Sequence, residues 1–477
     1  MTKKETAVQY LDNNLGRFTQ LSDLIWDNPE TRFHLPISAQ ALIDALTEAG
    51  FEIQREIAGM PDAFIATWGT GKPVIGFLGE YDALPNLSQV ADLVQKQPQI
   101  PGESGHGCGH HVLGAGALAA ALAVKEALAG DEAKATIRFF GCPAEEGGSG
   151  KAFMARAGVF DGLDAIITWH PMSENRIWGT SSLANFQVYF NFKGTSAHAA
   201  AAPHQGRSAL DAAELMNIGV NYLREHILPT ARVHYAYVDA GGPAPNVVQP
   251  TASLLYFIRA PRSLEVKEIY DRVVKIAQGA ALMTETQLEI VWDSACSEYI
   301  VNDRLGRVMY ANMEELGEID YTQEELDYAK AYWNSLDEAS KNNAKGSVRN
   351  IYFNSDKAEL EEIMASPIAR KLAPYKVTDE AIPGSTDVGD ASFNAPTVQL
   401  TSACYPLGTA PHSWQWVACG KSPMVHKGML YAAKVMAMTA LDLLNDPQAR
   451  LEAKAEFDER LGDQRYKCYI PDEVQPR

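Results

Sequence analysis

The feature that most constrains this chain is a change of rhythm near residue 184. Up to about residue 180, short apolar runs alternate with helix-like stretches. DAFIATW (62–68), PVIGFLG (73–79), ATIRFFGC (135–142) and DAIITWH (164–170) read as strands. Residues 14–27, 37–50 and about 111–128 read as helices. Strands alternating with helices predict an α/β layer structure with a largely parallel sheet. From 184 the pattern differs. NFQVYFNFKG alternates like a strand with one wet face. A helix (about 206–226), strands at 232–240 and 251–260, a helix at 263–281 and a strand at 287–293 follow. That order, β-α-β-β-α-β, is a ferredoxin-like α+β unit. The expectation is one discontinuous α/β domain, 1–183 with 296–477, into which residues 184–295 are inserted.

After residue 296 helical patterns return. The stretch 320–380 is charged and reads as surface helices added to the α/β domain. PTVQLTSAC (396–404) would rejoin the mixed, largely parallel sheet, and a helix from about 424 to 445 would close the fold.

Charge narrows the function classes. The formal net charge of -19 over 477 residues argues against a nucleic-acid binder, which needs clustered Lys and Arg. MTKKETAVQYLDNN lacks the apolar core of a signal peptide, and no apolar run reaches the roughly 18 residues of a membrane span. A cytoplasmic protein with no membrane partner is expected. The six cysteines are scattered without a CxxC pair, so neither a disulfide framework nor a zinc ribbon is expected.

Five segments carry chemistry. In GHGCGHH (105–111), Cys108 and His110 flank one glycine directly before a helix. A thiolate and an imidazole there suit a borderline-soft divalent ion, and glycines permit the backbone angles that aim both at it. Read alone, the segment fits a Gly-rich turn equally well. In GCPAEEGGSG (141–150), two adjacent carboxylates follow a strand. One can bind metal while its neighbour takes a proton from water, although adjacent glutamates are common in solvated turns. His170 ends the strand DAIITWH, and His412 lies in the loop GTAPHSWQW after a strand. A lone histidine is most often a satisfied core or surface residue. Asp82, in LGEYDALP, suits a carboxylate that orients a ligand imidazole. Their common placement is what counts. Each lies just past the C-terminal end of a strand or opens the next helix, the edge at which open α/β sheets bind ligands. Cys108, His110, Glu146, His170 and His412 exceed one tetrahedral site and fit two bridged ions, with Glu145 left over as a base.

These motifs resemble the M20 peptidases, in their branch of aminoacyl-amide and indoleacetyl-amino-acid hydrolases. Cys108-Gly109-His110, Pro143 to Gly147, His170 and His412 match the branch's metal-site segments, and the resemblance covers nearly the whole chain. It implies two divalent metal ions, Zn²⁺ or Mn²⁺, held by Cys108, His110, Glu146, His170 and His412. Cys108 would be shared, Glu145 the general base and Asp82 the supporting carboxylate. The substrate implied is a small N-acyl amino acid, an aroyl-glutamate such as p-aminobenzoyl-glutamate above all. Residues 184–295 would be a lid and dimerisation domain, joining two copies or this chain and a related subunit. In the lid, His198 matches a histidine that reaches a partner's active site and stabilises the oxyanion. Asn246 and Arg259 match positions that hold the substrate carboxylate, and Ser385 and Thr386 lie in a G-S-x-D loop lining the site. Many members of the wider family have His-x-Asp where this chain has Glu80-Tyr81-Asp82.

Two other readings are open at this level. One is a non-catalytic partner subunit that donates its lid, against which stands the complete set of ligands and base. The other is a redox centre on Cys108, its thiol made acidic by flanking histidines. Against that stands the lack of a nearby resolving cysteine.

Overall fold

The apolar runs of the first half lie side by side. In the computed structural model, which describes residues 1–131 and 134–476, they form most of a seven-stranded sheet. Its order is Glu52–Arg55, Phe64–Gly69, Thr136–Cys142, Val74–Glu80, Ala165–Met172, Thr397–Ala403, Arg176–Ile177. The four strands from Thr136–Cys142 to Thr397–Ala403 pair in parallel, and the pairings outside them are antiparallel. The mixed sheet is therefore parallel where it matters for a site, at its centre. Successive side chains point to opposite faces. Ile75 and Phe77 enter a core shared with the helices His110–Ala127 and Pro423–Asn445. Val74 and Leu78 enter another, shared with the helix Gly150–Arg156 and the second sheet.

Small residues in His110–Ala127 let it lie close on the sheet. A Cβ on Gly116 would stand 2.9 Å from the Trp169 ring, and one on Gly114 would stand 2.7 Å from the Glu80 carbonyl oxygen. This packing sets the start of the helix at the C-terminal edge of the parallel strands.

The second sheet has four antiparallel strands in the order Gln287–Cys296, Ala184–Lys193, Thr251–Ala260, Arg232–Asp239. With the helices Ala209–Leu223 and Ser263–Thr284 it makes the β-α-β-β-α-β order of the sequence. Thr251–Ala260 alternates buried and part-exposed residues, and the buried ones meet Met216, Val220, Val266 and Val273 from the helices.

The charged stretch forms Gln323–Ser335, Glu338–Ile351 and Lys357–Ala365. Its inward residues Tyr332, Val348, Tyr352 and Ile363 are buried. Three elements depart from the sequence reading. The helix Pro423–Asn445 does not close the fold: Asp446 caps a further helix, Pro447–Leu461, whose face of Ala453, Phe457 and Leu461 is buried. A helix at Lys3–Asn13 opens the chain, with Thr2 and Glu5 forming a capping box. A short parallel ribbon joins Thr180–Ser182 to Thr378–Ile382. Among the described residues, no helix is long and apolar enough to cross a membrane.

Candidate metal centre and active site

The loops after the parallel strands converge on one edge of the sheet. Gly109 has φ +79 and ends the loop just before the helix His110–Ala127. That left-handed residue turns the chain between Cys108 and His110, and a Cβ there would come within 2.6 Å of the Tyr405 hydroxyl. After the strand Thr136–Cys142, the acidic turn is tight. Ala144 and Ser149 have φ +62 and +59, and Ser149 N–H donates to the Ala144 carbonyl at 2.8 Å. His412 also has positive φ, +61, and its N–H donates to the Gly107 carbonyl at 2.8 Å. Such residues cost about 1–3 kcal/mol each and persist where the surroundings over-determine them.

These turns bring the five expected ligands together as two overlapping triads. Cys108, His110 and His170 form one, and Cys108, Glu146 and His412 the other; within each, the donor atoms lie within 4.8 Å of one another. Cys108 Sγ stands 3.4 Å from His170 Nε2. His412 Nε2 stands 3.2 Å from Glu146 Oε1.

The donors fit metal ions. His110 Nε2 and Glu146 Oε1 are buried without a hydrogen-bond partner, and buried polar atoms are seldom left so. His110 Nδ1 pairs with Asp82 Oδ1 at 2.9 Å, and His170 Nδ1 faces the Pro171 carbonyl at 2.9 Å. Each contact fixes the ring and leaves Nε2 as the free donor, as ligand histidines require. Asp82 does double duty: its Oδ2 accepts from Glu146 N–H at 2.9 Å.

The ionisable groups of the site are strongly shifted, with His110 raised, against the lowering effect of its burial, by Cys108 and Asp82. Burial, and then the nearby charge of His110, lower the His170 pKa to about 4, so this imidazole is neutral and able to ligate. Burial would raise Glu146, but His412 and His110 hold its carboxyl at about 2. Burial, then the charges of Glu80, Glu146 and Asp387, push Glu145 well above the usual carboxylate range. A carboxyl displaced in this direction holds a proton more readily than a free one, as a proton-exchanging group must. Burial, then Glu146, likewise push the Cys108 thiol up. That direction is opposite to the one an acidic redox thiol needs. The flanking histidines turn elsewhere, His106 Nε2 to the Ile25 carbonyl at 3.0 Å and His111 Nε2 to the Gly420 carbonyl at 2.8 Å.

Three charged residues beneath the site were missed in the sequence. Glu80, Lys151 and Asp387 are 2%, 0% and 1% exposed. Lys151 Nζ lies 2.7 Å from Glu80 Oε1 and 2.6 Å from Asp387 Oδ1. The signal available was a glutamate ending the wholly apolar run VIGFLG, and a lysine beside AFM in a short helix.

The expected substrate residues divide into two groups. Arg259 lies across the Phe257 ring at 4.0 Å and donates to the Pro383 carbonyl at 3.2 Å. This ties it to the loop of Ser385 and Thr386. Arg259 Nε and Ser385 Oγ are both buried without a partner. Thr386 Oγ1 accepts from Val388 N–H at 3.3 Å. His198 and Asn246 lie elsewhere, on two exposed turns that pair with each other. His198 Nδ1 accepts from Ala201 N–H at 3.1 Å, and the Asn246 carbonyl accepts from Ala199 N–H at 3.0 Å. Among the described residues, no hydrogen bond or ion pair links either of them to the ligand cluster.

The chain is similar to known proteins over most of its length. The model of peptidase family M20/M25/M40 matches residues 76–398. The chain is 48% identical over 460 residues to one of the subunits of p-aminobenzoyl-glutamate hydrolase from Escherichia coli K12, covering 96% of both chains. It is 28% identical over 480 residues to the Xaa-Arg dipeptidase of Mus musculus, covering 97% of this chain and 93% of that one. A crystal structure of a dinuclear metal-binding M20 peptidase from Bacillus subtilis shares the fold, with a TM-score of 0.54 at 18% identity, over 90% of this chain and 98% of that one. The chain belongs to peptidase family M20/M25/M40, and it is a metal-dependent hydrolase of amide bonds.

Proposed function

We propose that this chain cleaves the amide bond of an N-acyl amino acid, with p-aminobenzoyl-glutamate as substrate and p-aminobenzoate and glutamate as products. One observation carries the reading. Two ligand triads share Cys108, and Glu145 stands beside them in neither. Cys108, His110 and His170 would hold one divalent ion, and Cys108, Glu146 and His412 the other. A thiolate and imidazoles suit Zn²⁺, and carboxylate with imidazole also accepts Mn²⁺. When bound, such ions polarise the scissile carbonyl and acidify the attacking water.

The remaining chemistry belongs to the chain. Glu145 takes the proton from the water as it attacks, then returns it to the leaving amine. Asp82 holds His110 in the tautomer that keeps Nε2 a donor. Arg259, with Ser385 and Thr386, receives the carboxylate of the amino-acid half. A planar guanidinium suits a carboxylate through paired hydrogen bonds, and the unpartnered Arg259 Nε and Ser385 Oγ support that role.

In this reading residues 1–183 and 296–477 are the catalytic domain, and 184–295 are a lid and dimerisation domain. His198 and Asn246 serve the site of a second chain, either another copy or a related subunit. The exposed position of their turns supports it, as does the Escherichia coli relative, which is itself one subunit of its hydrolase. The complete donor set with its base favours a working site in this chain over a non-catalytic partner.

The deciding experiment is turnover of p-aminobenzoyl-glutamate by the purified chain reloaded with Zn²⁺ or Mn²⁺, beside a panel of dipeptides ending in arginine. Turnover of the first, abolished by chelator, is expected. Preference for the dipeptides would replace the substrate while keeping the reaction. No turnover of either would refute the reading for the chain alone.

A further inference from the structure

Lys151 is fully buried in the short helix Gly150–Arg156, among Ala152, Phe153, Met154 and Ala155. Nothing about packing there requires a charge. A buried ammonium is strongly disfavoured unless closely paired, and this one is paired twice. Nζ contacts Glu80 Oε1 and Asp387 Oδ1, and Lys151 N–H donates to Asp387 Oδ2 at 2.9 Å.

The other oxygen of Glu80 faces the metal centre. Glu80 Oε2 lies 3.3 Å from His110 Nε2, and Glu80, His110 and Glu145 form a third group with metal-ligand spacing. That group overlaps the triad of Cys108, His110 and His170 at one residue. His110 Nδ1 is already engaged by Asp82, so only Nε2 can ligate, and a single imidazole nitrogen serves one ion. The two sets are therefore exclusive. Their consequences differ sharply, because in the Glu80 set Glu145 itself becomes a ligand and is lost as a base.

We propose that Lys151 is a positioning residue which withholds Glu80 from the metal ions, so that His110 serves the Cys108 set and Glu145 stays unligated. This rests on the two-ion reading above. The same ammonium fixes Asp387, next in the chain to Ser385 and Thr386. One buried cation thus sets both the ligand choice and the loop expected to meet the substrate.

The test uses Co²⁺-loaded protein, read by cobalt content per chain and by the thiolate-to-cobalt charge-transfer band, which reports Cys108 ligation without reference to activity. Wild type and E80Q are expected to bind two ions with the same band. K151M is expected to keep cobalt but lose at least half of the band, and adding E80Q to K151M is expected to restore it. A K151M spectrum like wild type would overturn the proposal and leave the two-ion reading standing. Loss of an ion in E80Q would also overturn it, since Glu80 would then be a ligand. Should K151M fail to fold, the triple variant K151M/E80Q/D387N carries no unpaired member of the trio. It must then show the wild-type band, and a weakened band overturns the proposal. Wild type that binds no cobalt would remove the two-ion reading and this inference with it.

Discussion

At the edge of the parallel sheet, contacts with neighbouring groups hold four of the five ligand residues. Asp82 holds both His110 and the Glu146 backbone, Pro171 fixes His170, and the His412 backbone is bound to Gly107. The two turns that carry His198 and Asn246 are different. They are hydrogen-bonded to each other, and both residues are exposed. A metal centre needs preorganised donors before the substrate arrives. A group that meets the substrate only on closure needs freedom to travel. In the proposed arrangement, the contrast separates a half-site finished within one chain from one that waits for an approach.

The harshest way to break the finished half is at its shared donor. Cys108→Ala is expected to lower bound metal more than His170→Ala does and to abolish turnover, as measured by elemental analysis and rate on the same samples. Equal metal content in the two variants would show that Cys108 is not shared. Next in size is Glu145→Gln. A loss of rate of about 10²–10⁴-fold with unchanged metal content is expected, and a loss of metal instead would make Glu145 a ligand.

The waiting half is tested by His198→Ala. A rate loss of about 10²–10³-fold, typical of one missing oxyanion donor, is expected with metal content and Tm unchanged. Mixing it with Glu145→Gln sharpens the comparison. Copies that exchange lids would regain one working site per mixed pair, so activity should exceed that of either variant alone. No recovery would place His198 in service of its own chain or of a different subunit.

The smallest effect lies at the seam between the two regions. Asp390 accepts from the Ser297 N–H at 3.1 Å and from its hydroxyl at 2.9 Å, just beyond the strand Gln287–Cys296. Burial raises its pKa from 3.8 to about 7, more than its hydrogen bonds lower it. The folded chain therefore keeps a proton that the unfolded chain releases. Its contribution to stability is full below pH 3.8 and is lost as pH rises toward about 7. Denaturant midpoints of wild type should fall relative to Asp390→Asn across that window and run parallel above it. Parallel behaviour throughout would mean that Asp390 is ionised in the folded chain over the whole range.

Much of this was legible in the sequence because it depends on periodicity or on neighbours. VIGFLG and RFFGC read as buried strands because a parallel strand is covered on both faces. FQVYFNF read as a one-sided strand because its partner face is wet. Cys108 and His110 could be joined because one glycine separates them. The trio of Glu80, Lys151 and Asp387 was not legible in this way. Its meaning lies in contacts between residues far apart in the chain, and a lysine near a helix start is ordinarily a solvated one. The helix Pro447–Leu461 escaped for a different reason: only a narrow stripe of it, Ala453, Phe457 and Leu461, is buried, and its composition is otherwise that of an exposed segment.

The strand Thr397–Ala403 lies against Ala165–Met172, and the whole four-stranded unit is threaded between them. On the ribosome this imposes an order. All four strands of that unit have been made once Cys296 is added, when the central sheet still lacks Thr397–Ala403. The central sheet must hold an open edge until Ala403 appears, because long-range pairing is slow to close. For that interval Ala165–Met172 lacks its Thr397–Ala403 partner, and an unpaired strand edge is open to pairing with other chains. The metal triad that needs His412 is assembled after both.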